Sequence, residues 1–322
     1  MKILIVGGTG KIGQRIISNI NANKHEVFSI SKKNKLVNNK VKCFKFDYYK
    51  NDYEIKSLIK KYKFDVVVNL ICFNYAQIKR DYNLYQNSIT KYLFISSTSV
   101  YQNSRNKITE KSKIEKTNNP YIKGKIAVEN FLINKSKNFP YIILRICQVY
   151  GENNIPTLFK QRSQTVLKDM YINKRIFLPQ VKSNKWKMIY VNDLAKIIVR
   201  IIFSKNVKIK NNIFNISPDD SSGWKEIYKS YFLSSSQKIQ TIYLDLIKIK
   251  RLNKKMYDHL VLDKLKNANF TNKKIFKIIK KPNFTSFDKN IKIILKRQKN
   301  KIITSNQDED VLKIFRNAIN FE

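Results

Sequence analysis

The chain opens on an unbroken apolar run, KILIV at 2–6, followed at once by GGTGKIG and then by isoleucines at 12, 16, 17 and 20 that fall on one stripe of a helix over 11–22. Further apolar runs predict strands: EVFSI (26–30), VKCFKF (41–46), FDVVVNLI (64–71), KYLFISS (91–97) and YIILRIC (141–147). Between them, helical spacing of apolar positions covers 52–62, 76–87 and 121–135. Strands apolar along their whole length are buried on both faces. Alternating with helices, they predict a parallel sheet covered on both sides, joined by right-handed crossovers. Residues 1–150 therefore predict an α/β, doubly wound domain.

Beyond residue 150 the pattern loosens. Helices are expected over 157–173, 193–203, 223–232, 254–267, 286–299 and 308–319, and strands at KMIYV (187–191), NIFNI and 239–244. This predicts a smaller substrate-binding lobe over 151–322, with 187–217 returning to the core sheet. The last helices are polar and Lys-rich and show no role beyond packing.

The 322 residues carry a formal charge of +41, which taken alone suggests a polyanion partner. The excess is nearly all Lys, spread among apolar residues, while Arg, the residue of base and phosphate forks, is scarce. Heavy use of Lys, Asn and Ile together points to AT-rich codons as the cause. A positive field still attracts an anionic small molecule. Cys43, Cys72 and Cys147 lie in or beside apolar runs without metal-site spacing, so buried thiols in a reducing, cytoplasmic setting are expected. Two His and no His/Cys cluster argue against structural zinc. No apolar run at the start is long enough for a signal peptide or a membrane span.

Gly7-Gly8-Thr9-Gly10-Lys11-Ile12-Gly13 stands between a strand and a helix. Gly7 permits a sharp turn, Gly10 leaves room for a pyrophosphate, and Gly13 lets the helix approach the sheet, with helix-start N–H groups facing the phosphates. The expected cofactor is NAD or NADP. Ser31-Lys32-Lys33, at the end of the second strand, has no acid for ribose hydroxyls and two cations for a 2′-phosphate, which favours NADP. The candidate cofactor set is Gly7, Thr9, Gly10, Lys11, Ile12 and Gly13, joined by Lys32, Asp47, Tyr48, Leu70 and Ser96. Asp47 is placed for an adenine amino group.

Ser96-Ser97-Thr98-Ser99 ends the fifth strand, and Tyr121 and Lys125 follow four residues apart at a helix start, on one face. A phenol of ordinary pKa is a poor base near neutrality, and a neighbouring ammonium favours its ionised form. Tyr121 would take a substrate hydroxyl proton as hydride leaves, Ser97 would bond the same oxygen, and Lys125 would also grip ribose hydroxyls. Read singly, these residues are a packing aromatic, a solvated Lys and a helix cap.

With GGTGKIG, FISSTSVY, PYIKGKIAVE, ILRICQVYG and YVNDLAKII in place, the chain resembles the extended short-chain dehydrogenase/reductase family, the NAD-dependent epimerase/dehydratase group. The likeness spans residues 1 to about 200, and NNIFNISPD with Trp224 carries it toward 230. The resemblance implies a Rossmann-like core, catalytic Ser97, Tyr121 and Lys125, a nucleotide-sugar substrate transiently oxidised at a ring carbon, and a homodimer. Thr98-Ser99 replace the Asp-Glu pair of family dehydratases, which disfavours 4,6-dehydration. Ile146 and Gln148 depart from the family at the nicotinamide and substrate edge, and the link between the fourth and fifth strands is short. Substrate-side cations are sought among Arg145, Arg162, Lys182, Lys185 and Lys187, with Trp186 as a stacking surface. Asp193 reads as an N-cap, and Tyr150-Gly151 as closing part of the site. Two other readings remain: an RNA-binding protein on the same fold, and a non-catalytic, NAD(P)-binding regulatory protein.

Overall fold

The computed structural model describes every residue except 34–39, 136, 153, 160–163, 182–183, 233–237, 304–308 and 320–322. In chain order the first half runs β1 (Lys2–Val6), α1 (Lys11–Asn19), β2 (Glu26–Ser31), β3 (Val41–Lys45), α2 (Asp52–Tyr62), β4 (Val66–Asn69), α3 (Tyr75–Tyr85), β5 (Lys91–Ser97), α4 (Pro120–Asn134) and β6 (Tyr141–Ile146). The rest runs β7 (Gln148–Tyr150), α5 (Gln164–Asn173), β8 (Arg175–Pro179), β9 (Met188–Tyr190), α6 (Val191–Phe203), β10 (Asn212–Ile216), α7 (Trp224–Lys229) and β11 (Gln240–Leu244). It closes with α8 (Leu246–Leu252), α9 (Lys254–His259), a π turn at Leu260–Lys264, α10 (Lys273–Phe276), α11 (Phe287–Ile303) and α12 (Glu309–Ile319).

Seven strands form one parallel sheet in the order β10-β6-β5-β4-β1-β2-β3. Alternation along β1 shows why it is apolar throughout. Ile3 and Ile5 enter one buried cluster, and Leu4 and Val6 enter another on the opposite face. α1 packs on α6 on one side, and α3 on α4. The order reverses between β1 and β4, which opens a crevice at the carboxyl ends of the strands. β10 arrives late in the chain and pairs with β6 from Asn212↔Ile142 to Ile216↔Ile146.

The remaining elements form a second lobe around two small parallel pairs, β8 with β11 and β7 with β9. The stretch 254–267, expected as one helix, is α9 followed by the π turn. Asp193 lies inside the first turn of α6 and does not cap it. Its Oδ2 accepts the Thr285 N–H at 2.7 Å and ties α6 to the segment before α11. Cys72 and Cys147 are buried and free, whereas Cys43 is only partly covered. Burial pushes both buried thiols up to about 12. Among the described residues no helix is long and apolar enough to cross a membrane.

Candidate functional site

A cleft of about 670 Å³ runs along the carboxyl edge of the sheet, between the two lobes. Its floor is the turn after β1. Gly7 there has φ of +84°, which only glycine adopts freely, and the Gly10 N–H donates back to the Gly7 carbonyl at 3.0 Å. Gly10 is the N-cap of α1 and has no side chain to satisfy the first helical N–H groups. A Cβ on Gly13 would stand 2.6 Å from Gly8 Cα, so only glycine lets α1 sit this close to the loop. A Cβ on Gly10 would meet only the Gly7 carbonyl, at 3.1 Å, so the loop leaves open space above the helix start. This is a cradle suited to a pyrophosphate.

Gly7, Gly10, Lys11, Ile12, Gly13 and Leu70 all line the cleft. The other candidate cofactor residues do not. Thr9 donates its N–H to Ser31 Oγ at 3.1 Å and bonds Gln14 through its carbonyl. Lys32 is paired with Asp47, Nζ to Oδ2 at 3.0 Å, and that bond holds the Asp47 carboxyl below its ordinary value. Tyr48 points into the core, where its hydroxyl reaches Asp81 Oδ1 at 2.9 Å and Tyr85 at 3.1 Å. Ser96 is buried and donates to Glu129 Oε1 at 2.6 Å.

Ser97 and Tyr121 both line the cleft. Ser97 caps the short 3₁₀ turn Thr98–Val100. Its Oγ accepts the Ser99 N–H at 3.1 Å and donates to Ser99 Oγ at 3.0 Å. Asn119 caps α4, with Pro120 at the first helical position, and so sets Tyr121 at the helix mouth. Burial raises the Tyr121 phenol above its ordinary value; a hydrogen bond with Ser97 opposes that rise and the Asp263 carboxylate adds to it. The side chain is half-exposed, and water in the cleft limits the effect.

Lys125 lies one turn on and below. It is buried, and its Nζ donates to the carbonyls of Cys72 and Ile95, both at 2.8 Å. It stands 5.8 Å from the Tyr121 ring centroid. Burial pulls its pKa down to about 8.

The wall opposite comes from residues the sequence did not single out as a site. α9 and the π turn bring in His259, Leu262 and Asp263. Ser99 Oγ donates to Asp263 Oδ1 at 2.9 Å. Lys264 contacts Asp263 Oδ2 at 3.1 Å, donates to Gln148 Oε1 at 2.6 Å and lies over the Trp186 ring at 5.1 Å. Burial, with Lys264 beside it, lowers His259 to about 4, so the imidazole is neutral. Trp186 Nε1, His259 Nε2 and Asn154 Oδ1 are buried without partners among the described residues, and all three side chains line the cleft.

Several substrate-side expectations are corrected by geometry. Arg145 is internal: it pairs with Glu129 at 2.5 Å and bonds the Tyr101 hydroxyl at 2.8 Å, linking β6, α4 and the segment after β5. Lys187 is buried, its Nζ spent on the carbonyls of Pro218 and Phe270. Lys185 is exposed away from the lining. Arg162 and Lys182 lie outside the described residues. Tyr150 does not close the cleft; it is buried between Tyr190 and Phe287.

The profile of the NAD dependent epimerase/dehydratase family matches residues 3–217. No curated protein matches the sequence. Among solved structures, the chain is similar to UDP-glucuronic acid 4-epimerase from Bacillus cereus in complex with NAD, at TM-score 0.71 and 17% identity, over 91% of this chain and 94% of that one. It is similar to an epimerase from Methanothermobacter thermautotrophicus at TM-score 0.73 and 15% identity, over 94% of each chain. A UDP-N-acetylglucosamine 4-epimerase from Methanobrevibacter ruminantium, in complex with UDP-N-acetylmuramic acid, matches at TM-score 0.71 and 17% identity, over 93% of this chain and 98% of that one. At these identities the likeness is one of fold.

Proposed function

The chain belongs to the NAD dependent epimerase/dehydratase family, and from that premise we propose that it oxidises and re-reduces one carbon of a nucleotide sugar, with Tyr121 moving the hydroxyl proton. The observation that carries this reading is the meeting of the glycine loop, Ser97 and Tyr121 on a single cleft of about 670 Å³. That volume is in the range that encloses a small ligand.

The cofactor is NAD or NADP, held by the loop at Gly7–Gly13 and the open start of α1. When bound, it supplies the acceptor and donor of hydride. Pairing of Lys32 with Asp47 removes one of the two cations on which a preference for NADP rests. Tyr121 enters the reaction as a neutral phenol, because burial and Asp263 both disfavour its ionised form. Lys125 holds the carboxyl ends of β4 and β5 against α4, with two of its three N–H groups committed to carbonyls. Ser97 turns its proton toward Ser99, so it meets a substrate oxygen as a donor only by releasing that bond.

We place the net reaction as epimerisation or reduction, without loss of water. Thr98 and Ser99 stand where family dehydratases carry Asp-Glu, and among the described residues Asp263 is the one carboxylate lining the cleft. The test is to release and identify the dinucleotide from purified protein. A panel of UDP-, GDP- and dTDP-sugars is then screened for transient absorbance of the reduced cofactor. Tyr121→Phe is expected to keep the dinucleotide and lose at least about 100-fold in rate. Failure to bind either dinucleotide, or full activity in Tyr121→Phe, overturns the reading.

A further inference from the structure

We propose that Asp263 sets the class of sugar: its carboxylate accepts a hydrogen bond from a neutral hydroxyl beside the carbon that is oxidised, and it turns away sugars that carry a carboxylate at that place. The inference rests on the reading of this cleft as a nucleotide-sugar site and deepens it.

The placement comes from two hydrogen bonds. Asp263 lines the cleft. Ser99 Oγ donates to its Oδ1 at 2.9 Å, and Ser97 Oγ donates to Ser99 Oγ at 3.0 Å. The carboxylate therefore stands two hydrogen bonds from Ser97. Two neighbouring oxygens of one sugar span that gap, the reacting one at Ser97 and Tyr121 and the next at Asp263.

What the carboxylate asks of that second oxygen follows from proton counting. Burial pushes the Asp263 carboxyl up, but Lys264 above all holds it below the ordinary value, so it is ionised at neutral pH. An ionised carboxylate has no proton to donate, and its two oxygens offer about four lone-pair sites. Ser99 uses one on Oδ1, and Lys264 Nζ, at 3.1 Å, uses one on Oδ2. The side chain is 26% exposed, so the remaining acceptor capacity is open to the cleft. A sugar hydroxyl supplies the donor.

The compensating cation lies on the wrong side to help an anion. Asp263 and Lys264 are adjacent on the π turn, yet the Lys264 side chain is only 1% exposed. Its Nζ is spent on Asp263, on Gln148 Oε1 at 2.6 Å and on the face of Trp186. An anionic substituent in the cleft meets the carboxylate oxygens first, with the ammonium behind them. The other neighbours do not relieve this. His259 is neutral, and Lys266, in the recess behind Asp263, is bonded to the Tyr101 carbonyl and to Glu115. Among the described residues, the cation lining the cleft is Lys11, on the glycine loop. Like charges brought this close without a cation between them repel strongly.

Isosteric sugar pairs test the proposal, because their members differ in one group: UDP-glucose and UDP-glucuronate, GDP-mannose and GDP-mannuronate, dTDP-glucose and dTDP-glucuronate. Each is titrated calorimetrically into the protein loaded with its dinucleotide. In the pair that binds, the neutral sugar is expected to bind at least about 10-fold more tightly than its uronate. Asp263→Asn is expected to shrink that ratio to about 2-fold or less. Because that variant leaves the Lys264 ammonium buried without its counterion, Asp263→Asn/Lys264→Met is measured beside it, with the same expected ratio. A purely structural role for Asp263 weakens both sugars of a pair alike and leaves the ratio where it was. A ratio unchanged in the variants, or a uronate bound by the wild type as tightly as its neutral partner, overturns the proposal. If the sugar that binds is turned over and Tyr121→Phe is inactive, the role of Tyr121 stands in spite of that result. Binding of no sugar from any pair removes the nucleotide-sugar reading and the proposal together.

Discussion

The Lys125 ammonium donates to the Cys72 carbonyl at 2.8 Å, which fastens α4 to the segment leaving β4. A second bond of the same length, to the Ile95 carbonyl, fastens it to β5. Lys125 is therefore a clamp as well as a neighbour of Tyr121. Lys125→Met removes both bonds to buried carbonyls, and each is expected to cost about 1–3 kcal/mol. The check is urea denaturation; a loss below about 1 kcal/mol shows that the clamp carries no load.

The glycine loop separates folding from binding. In Gly13→Ala the new methyl meets backbone at 2.6 Å, and overpacking is expected to cost about 1–3 kcal/mol as well as dinucleotide affinity. In Gly10→Ala the methyl projects toward the open cleft, its one close neighbour the Gly7 carbonyl at 3.1 Å. That variant is expected to keep its melting temperature and lose at least about 10-fold in dinucleotide affinity, or about 1.4 kcal/mol. Calorimetry on both variants, with and without NAD and NADP, distinguishes the two effects.

Arg145 and Glu129 form a buried pair at 2.5 Å, extended by Ser96, Tyr101 and Asn215. Removing the cation alone strands a buried carboxylate. Arg145→Ala is expected to destabilise the chain by about 3–5 kcal/mol, and the double replacement Glu129→Met/Arg145→Met by much less. Equal losses in the two, by chemical denaturation, count against this account.

Asp81 is fully buried and accepts hydrogen bonds from Tyr92, Tyr48 and Asn69. Burial outweighs those bonds and raises its pKa to about 6. A folded pKa above the unfolded one means that the folded state holds a proton the unfolded state has lost. The stabilisation is therefore complete below about pH 4 and disappears as pH rises through about 6. Between pH 4 and 7 the wild type should lose about 3 kcal/mol relative to Asp81→Asn, whose side chain does not titrate. Denaturation curves for both proteins at several pH values check the slope, and parallel curves refute it.

The sheet was readable because buried parallel strands leave apolar runs, as in β1, β4, β5 and β6, while the edge strand β3 showed only Val41, Cys43 and Phe44 between exposed lysines. The three-residue β7 lacks that signature and passed unnoticed, and β8 was missed although Ile176-Phe177-Leu178 is a buried apolar run. The loop glycines, Ser97 and Tyr121 were readable because each stands at a strand end or helix start, where the topology sets direction. Asp263 and His259 were not, because they sit in a polar helical stretch and reach the cleft only through long-range folding. The cations were misjudged for a related reason. In so Lys-rich a chain, spacing does not reveal which charges turn inward, and Arg145 and Lys187 both do.

The placement of β10 has a consequence for how the chain is made. β6 holds an unpaired edge until Asn212–Ile216 can zip alongside it, and some sixty residues come between. On the ribosome, that edge is exposed to other nascent chains for the whole interval. Translation pauses or truncations ahead of residue 216 thus leave that edge open to pairing with another chain.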